Sequence, residues 1–135
     1  MALSADRQVK RREGTNFSDP VAASTQIYLG ALVVLNAAGN AVPGSTATGL
    51  KVRGIATEQV DNSTGAAGDK LVPTRTGIFL FKNSASADLI ARADIGNDCY
   101  IVDDETVAKT SATSTRSIAG KIVDIDASGV WVKIG

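Results

Sequence analysis

Short runs rich in Val and Ile, each cut off by Gly, Asn, Asp or Pro, recur along this 135-residue chain and leave no room for a long helical stripe. β-branched residues favour a pleated, half-buried strand, and Gly and Asn tolerate the positive φ that reverses the chain. Ile27–Leu35 is aliphatic on both faces, the pattern of a strand covered on both sides, and Asn36-Ala37-Ala38-Gly39-Asn40 stops it. Pro43-Gly44 marks another turn. In Lys51–Val60, Gly54 sits between Val52 and Ile55, which predicts a bulge or a close backbone approach. A polar loop follows over 61–69, then strands over Lys70–Pro73 and Gly77–Lys82. In the latter, Ile78 and Leu80 point one way and Phe79 and Phe81 the other, so both faces call for cover. Asp98–Val102 is a further strand. Ser117–Asp126 and Val130–Ile134 make the clearest hairpin, around Asp126-Ala127-Ser128-Gly129. Ser86–Ile95 has Leu89, Ile90 and Ala93 at helical spacing but spans too little for a lasting helix, and is expected to be a short helical turn or irregular. With no helical segments between strands, βαβ units are excluded and the expected class is all-β, a small barrel or sandwich.

The absence of histidine removes the Ser-His-Asp triad, the Cys-His pair and imidazole metal ligands. Cys99 is the only cysteine, so there is no internal disulfide and no thiolate cage; it is expected to be a small core residue. No Gly-x-Ser-x-Gly elbow and no Gly-x-x-x-x-Gly-Lys phosphate loop occurs. Asp103-Asp104-Glu105 is the one acidic cluster, but three successive residues of a turn diverge and lack calcium-loop spacing, so a solvated hairpin tip is expected. The chain therefore reads as a non-enzyme with no cofactor, no metal site and no catalytic residue. Its opening residues never build the apolar run of about 7–15 that a secretory signal needs, and no stretch approaches the about 20 residues of a membrane helix. The expected protein is made in the cytoplasm and has no membrane partner.

The chain divides near residue 25. Residues 1–25 carry few large apolar side chains, Leu3, Val9, Phe17 and Val21, and are expected to form an extended N-terminal arm closed by Asp19-Pro20, with residues 26–135 as the body. Arg7, Lys10, Arg11 and Arg12 make the arm basic, and Phe17 offers an apolar anchor. These five residues are the expected partner-binding set. A basic arm could meet nucleic acid, but the few aromatics offer little for base stacking, so an acidic protein surface is the expected partner and nucleic acid is not. Trp131 alternates with Val130, Val132 and Ile134, and is expected to pack or to sit at a subunit interface.

Four segments, GIATEQV at 54–60, AAGDKLVPTRTGIFLF at 66–81, ADIGNDCYIVDDETV at 93–107 and AGKIVDIDASGVWVKIG at 119–135, carry a family resemblance in their order and character. Over roughly residues 27–135 the chain resembles the head-decoration, or capsid cement, proteins of tailed bacteriophages. That resemblance implies a compact β-tulip barrel and a structural role on the outer surface of the virion head. It implies binding to the major capsid protein at three-fold or quasi-three-fold positions, clamping of neighbouring capsomers, and self-association, commonly as a homotrimer. The arm lies outside the recurring pattern. Two other classes remain open: a tail or head-completion ring protein, and a ligand-binding β module.

Overall fold

The structure is a computed structural model that describes residues 2–12 and 14–135. Twelve strands follow in chain order: β1 (Asn16–Pro20), β2 (Thr25–Ile27), β3 (Leu32–Leu35), β4 (Ala41–Pro43), β5 (Lys51–Ala56), β6 (Val60–Asn62), β7 (Leu71–Arg75), β8 (Gly77–Phe81), β9 (Asp98–Ile101), β10 (Val107–Ala108), β11 (Ile118–Asp126) and β12 (Gly129–Ile134). They build three antiparallel sheets: β1-β7-β5-β3-β4, β10-β9-β11-β12-β8, and the ribbon β2-β6. The fold is all-β, and no sheet closes into a barrel. Each five-stranded sheet nevertheless bends until its two edges touch at a single parallel bridge. Val21, just after β1, meets Ala41 in β4, and Lys82, just after β8, meets Thr106 before β10.

Two cores result, and β3 joins them. Leu32 and Val34 pack with Phe81, Cys99, Ile101, Val107, Ile122, Val130, Val132 and Ile134 between the two large sheets. Val33, one residue out of phase, packs with Val21, Ile27, Ala41, Ala56, Val60 and Val72 on the opposite face. The aliphatic run thus is covered on both sides, but it is not one strand. Gly30 at φ 86 and a hydrogen bond from the Ala31 N–H to the Tyr28 carbonyl (3.1 Å) break it into β2 and β3. Periodicity alone cannot place such a break in a continuous apolar run.

Gly54 meets both expectations. The β3–β5 register jumps so that Val33 faces Gly54 and Val34 faces Val52, leaving Arg53 as the extra residue of a bulge. A Cβ on Gly54 would lie 2.8 Å from the Arg75 carbonyl oxygen, so the backbones approach too closely for any side chain. The hairpin of β11 and β12 pairs Asp126 with Gly129 and has a second bulge at Val123. Ser86–Ile95 forms two single 3₁₀ turns, Ser86–Asp88 and Arg92–Asp94. Asn83 pins this segment by accepting from the Ile90 N–H (3.0 Å) and donating to the Ile90 carbonyl (2.9 Å), which holds Ile90 in the core.

The arm is shorter than the sequence suggests. Asn16–Pro20 is a strand paired along its length with β7, and Val21 is fully buried, so the sheet begins at Asn16 and not after residue 25. Pro20 is tolerated because β1 is an edge strand, where a missing N–H donor costs no ladder bond. No helix among the described residues is long and apolar enough to cross a membrane.

Core and close-approach substitutions should separate cleanly from surface ones. Ile101→Ala, at a fully buried site, should cost about 2–5 kcal/mol. Gly120→Ala should cost about 1–3 kcal/mol, because its Cβ would sit 2.2 Å from the Lys133 carbonyl oxygen. Leu71→Ala, at an exposed position of β7, should stay within about 0.5 kcal/mol. Urea midpoints read all three.

Candidate interaction surfaces

Described residues from Ala2 to Thr15 are exposed throughout. The arm joins the body where the Thr76 N–H donates to the Thr15 carbonyl (2.9 Å), and the chain bends at Gly14 and Thr15. Arg7, Lys10 and Arg11 lie along this exposed segment. Arg12 and Phe17 are brought together, with the guanidinium 5.8 Å from the ring centroid. Phe17 itself is half-buried in β1, and Arg53 stacks on its ring at 3.8 Å. The same Arg53 donates through Nε to Asp19 Oδ2 at 2.6 Å. Arg53, the bulged residue of β5, therefore ties down the root of the arm by a stacked ring and an ion pair whose Asp19 side chain is only 12% exposed.

The second surface is apolar. On the large sheet of β8–β12, Phe79 and Phe81 face the core, while Ile78 and Leu80 face outward at 52% and 42% exposure. Leu80 lies directly across from half-buried Trp131, and Ile78 across from Lys133. Val123 and Ile118 are exposed on the neighbouring β11. The cover that the alternating Ile78-Phe79-Leu80-Phe81 run calls for is present on the phenylalanine side only. Trp131 is fixed at the hairpin tip by donating Nε1–H to Asp126 Oδ2 (2.8 Å). This bond, followed by the Ser128 N–H, holds the Asp126 carboxyl below its ordinary value.

A third surface surrounds Tyr28 and Leu29, exposed at 58% and 67% on the turn between β2 and β3. One wall beside them is the acidic tip of the β9–β10 hairpin, where Leu32 N–H donates to the Asp104 carbonyl (2.9 Å). Tyr28–Ala31 and Asp104–Glu105 enclose a groove of about 270 Å³. On the far side of Leu29, a groove of about 370 Å³ is lined by Ile55, Thr57, Arg75 and Phe79. Asp103 and Glu105 are exposed, as a solvated tip requires, while Asp104 is half-buried. Burial, then the charges of Asp103 and Glu105, push the Asp104 carboxyl up. Glu105 is paired with Lys82 at 2.6 Å. Sequence reading placed Tyr28 and Leu29 inside a strand and so missed this surface; Gly30, in the middle of the aliphatic run, was the available signal of a turn.

Cys99 is buried, its Sγ donates to the Gly120 carbonyl (3.5 Å), and burial pushes its thiol up to about 12, which suits a core residue and not a nucleophile. No group of three or more carboxylate or thiol residues among the described residues could hold a metal ion. Comparison with known proteins finds no matching family model, no matching curated protein and no matching solved structure.

Two measurements test these contacts. Arg53→Ala should lower stability by about 1–3 kcal/mol and speed hydrogen exchange in residues 16–20, since it removes both the ion pair and the stacked cation. Arg53→Lys should recover only part, having lost the planar face. Because the Asp126 carboxyl is held low in the fold, its bond to Trp131 is complete above its ordinary value of 3.8 and is lost as pH falls through the lower folded value. The fluorescence of Trp131, the sole tryptophan, should therefore hold steady to pH 4 and titrate below it, and Asp126→Asn should abolish the response. A midpoint near about 5 would contradict the assignment.

Proposed function

We propose that this protein is a structural decoration protein that binds the outer surface of a tailed-phage head and bridges neighbouring capsomers, with the basic arm as one of its contacts. The observation that carries the reading is an exposed cationic arm whose root is anchored through Arg53 to a two-core β body, the form of a protein built to span between neighbours. The four resembling segments support it: they fall on β5–β6, β7–β8, β9–β10 and β11–β12, so they are the body's main strands and not scattered loops. The near-meeting of edges in both five-stranded sheets supports a barrel of the β-tulip kind. The outward Ile78, Leu80 and Trp131 supply apolar area for a homotrimer or for the major capsid protein. On a symmetric shell, many modest contacts sum to firm attachment without a single deep site.

The test is sedimentation of particles from a native lysate with quantitative mass spectrometry of each fraction. Copies on the order of hundreds per particle, near the number of major shell subunits, support the reading; about six or twelve copies would make it a ring component, and absence from the particles would overturn it. Removing residues 2–15, and not 2–24, is the right truncation, because it spares β1 and the Arg53–Asp19 pair. The truncated chain should keep its urea midpoint and lose shell binding.

A further inference from the structure

One edge of β8 has no partner strand. On its other side β8 pairs with β12 in an unshifted register from Gly77 opposite Ile134 to Phe81 opposite Val130. It ends its sheet, and contact with the far edge of that sheet begins only at Lys82. There the Lys82 N–H donates to the Glu105 carbonyl (2.8 Å) and the Lys82 carbonyl accepts from the Val107 N–H (3.0 Å), so Lys82 turns its backbone groups away from β12. Backbone groups alternate sides along a strand. Leu80 and Ile78 therefore turn theirs the same way, each offering a donor and an acceptor where no strand among the described residues pairs with them. From Gly77 to Phe81 this edge carries no charge, no proline and no bulge, the devices that ordinarily keep a sheet edge from pairing.

The surroundings of the edge give the chemistry of its partner. On the Phe79 side lies the groove of about 370 Å³, in which Leu29, Ile55 and Phe79 are apolar and Arg75 is the one charged lining residue. The Arg75 guanidinium stands 5.9 Å from the Phe79 ring centroid. On the outer face Leu80 and Ile78 lie beside Trp131 and Lys133. Neither Arg75 nor Lys133 has a carboxylate within ion-pair distance among the described residues. We propose that the free edge of β8 receives an extended segment of a partner protein, antiparallel to β8, with an apolar side chain in the groove against Phe79 and Leu29 and a carboxylate near its C-terminal end facing Arg75 and Lys133. Main-chain bonds to Ile78 and Leu80 supply affinity, and the groove and the cations supply register. Antiparallel pairing brings the C-terminal end of the segment to the Gly77 end of β8, where both cations are. Charge makes the partner a different protein. A second β8 would bring no carboxylate anywhere in residues 73–87, and the arm of a second copy is basic. The inference goes beyond the decoration reading and does not rest on it, so purified protein tests it without particles.

The probe is a blocked synthetic peptide of alternating Thr and Val that ends in two Glu, added to the full chain. It should bind with a Kd of about 0.1–1 mM and slow amide exchange at Ile78 and Leu80 at least about tenfold at saturation. The same peptide ending in two Lys should bind at least about tenfold more weakly, and Arg75→Glu should reverse that preference. Arg75 is exposed, so the urea midpoint of this variant should move little. Two N-methylated peptides, blocked at alternate amides in opposite phases, leave the protein unaltered: one phase should abolish binding and the other should not, because an added strand turns only every second N–H towards β8. An acidic peptide that does not bind, one that protects amides outside β8, equal effects of the two methylated phases, or indifference to the charge at residue 75 would each overturn the proposal. So would concentration-dependent protection of Ile78 and Leu80 without peptide, which would make a second copy the occupant. None of these outcomes bears on particle copy number, which tests the decoration reading separately.

Discussion

Everything in this molecule hangs on β3, a strand buried on both faces. Leu32 and Val34 reach one core and Val33 the other, and the three are fully buried. Full burial of such a side chain is worth about 1.5–3 kcal/mol, so four residues of backbone couple two hydrophobic clusters that would otherwise be separate small units. A polar substitution at any of the three would strand an unpartnered group in a dry interior, whichever face it took. The bulge at Arg53 is the geometric companion of this arrangement. It shifts β5 by one residue against β3, so that Val52 and Ile55 both face the first core although an even spacing would set them on opposite sides.

That bulge also creates the anchor of the arm. An inserted residue is released from the pleat, and here it is an arginine whose planar head covers Phe17 and whose Nε meets Asp19. Strand β1 is thereby held at the sheet edge by charge and stacking more than by burial. This explains why residues 16–20 did not read as a strand. Their inward positions are Phe17 and Asp19, not two aliphatics, and the partner that makes Asp19 acceptable lies 34 positions away. Long-range pairing of that kind leaves no local trace.

Elsewhere the legible features were those with local causes. The hairpin of β11 and β12, the double-faced β3, the close approach at Gly54 and the core placement of Cys99 follow from alternation, turn residues and size. The break between β2 and β3 did not, because Gly30, the one local hint of a turn, sits in an otherwise aliphatic run, and the hydrogen bonds of Gly30 to Ala56 and Leu32 to Asp104 that hold the turn are tertiary. The candidate surfaces divide along the same line. The basic arm is a compositional fact, whereas the groove beside Leu29 exists only because two hairpin tips far apart in sequence meet in space.

The placement of charge follows from these constraints. Ion pairs of the body, among them Arg53 with Asp19, Arg116 with Asp88, Lys121 with Asp98 and Lys82 with Glu105, hold edges and loops onto the sheets. The arm's cations and the Asp103–Asp104 side of the hairpin tip are two surface concentrations of like charge. Neither is required for the packing of either core. A neutral chain could have distributed these charges evenly at no cost to its fold. Concentrating them at two separate points, one on a long tether and one beside an exposed leucine, makes sense for a molecule whose energetics are completed only by contact with its neighbours.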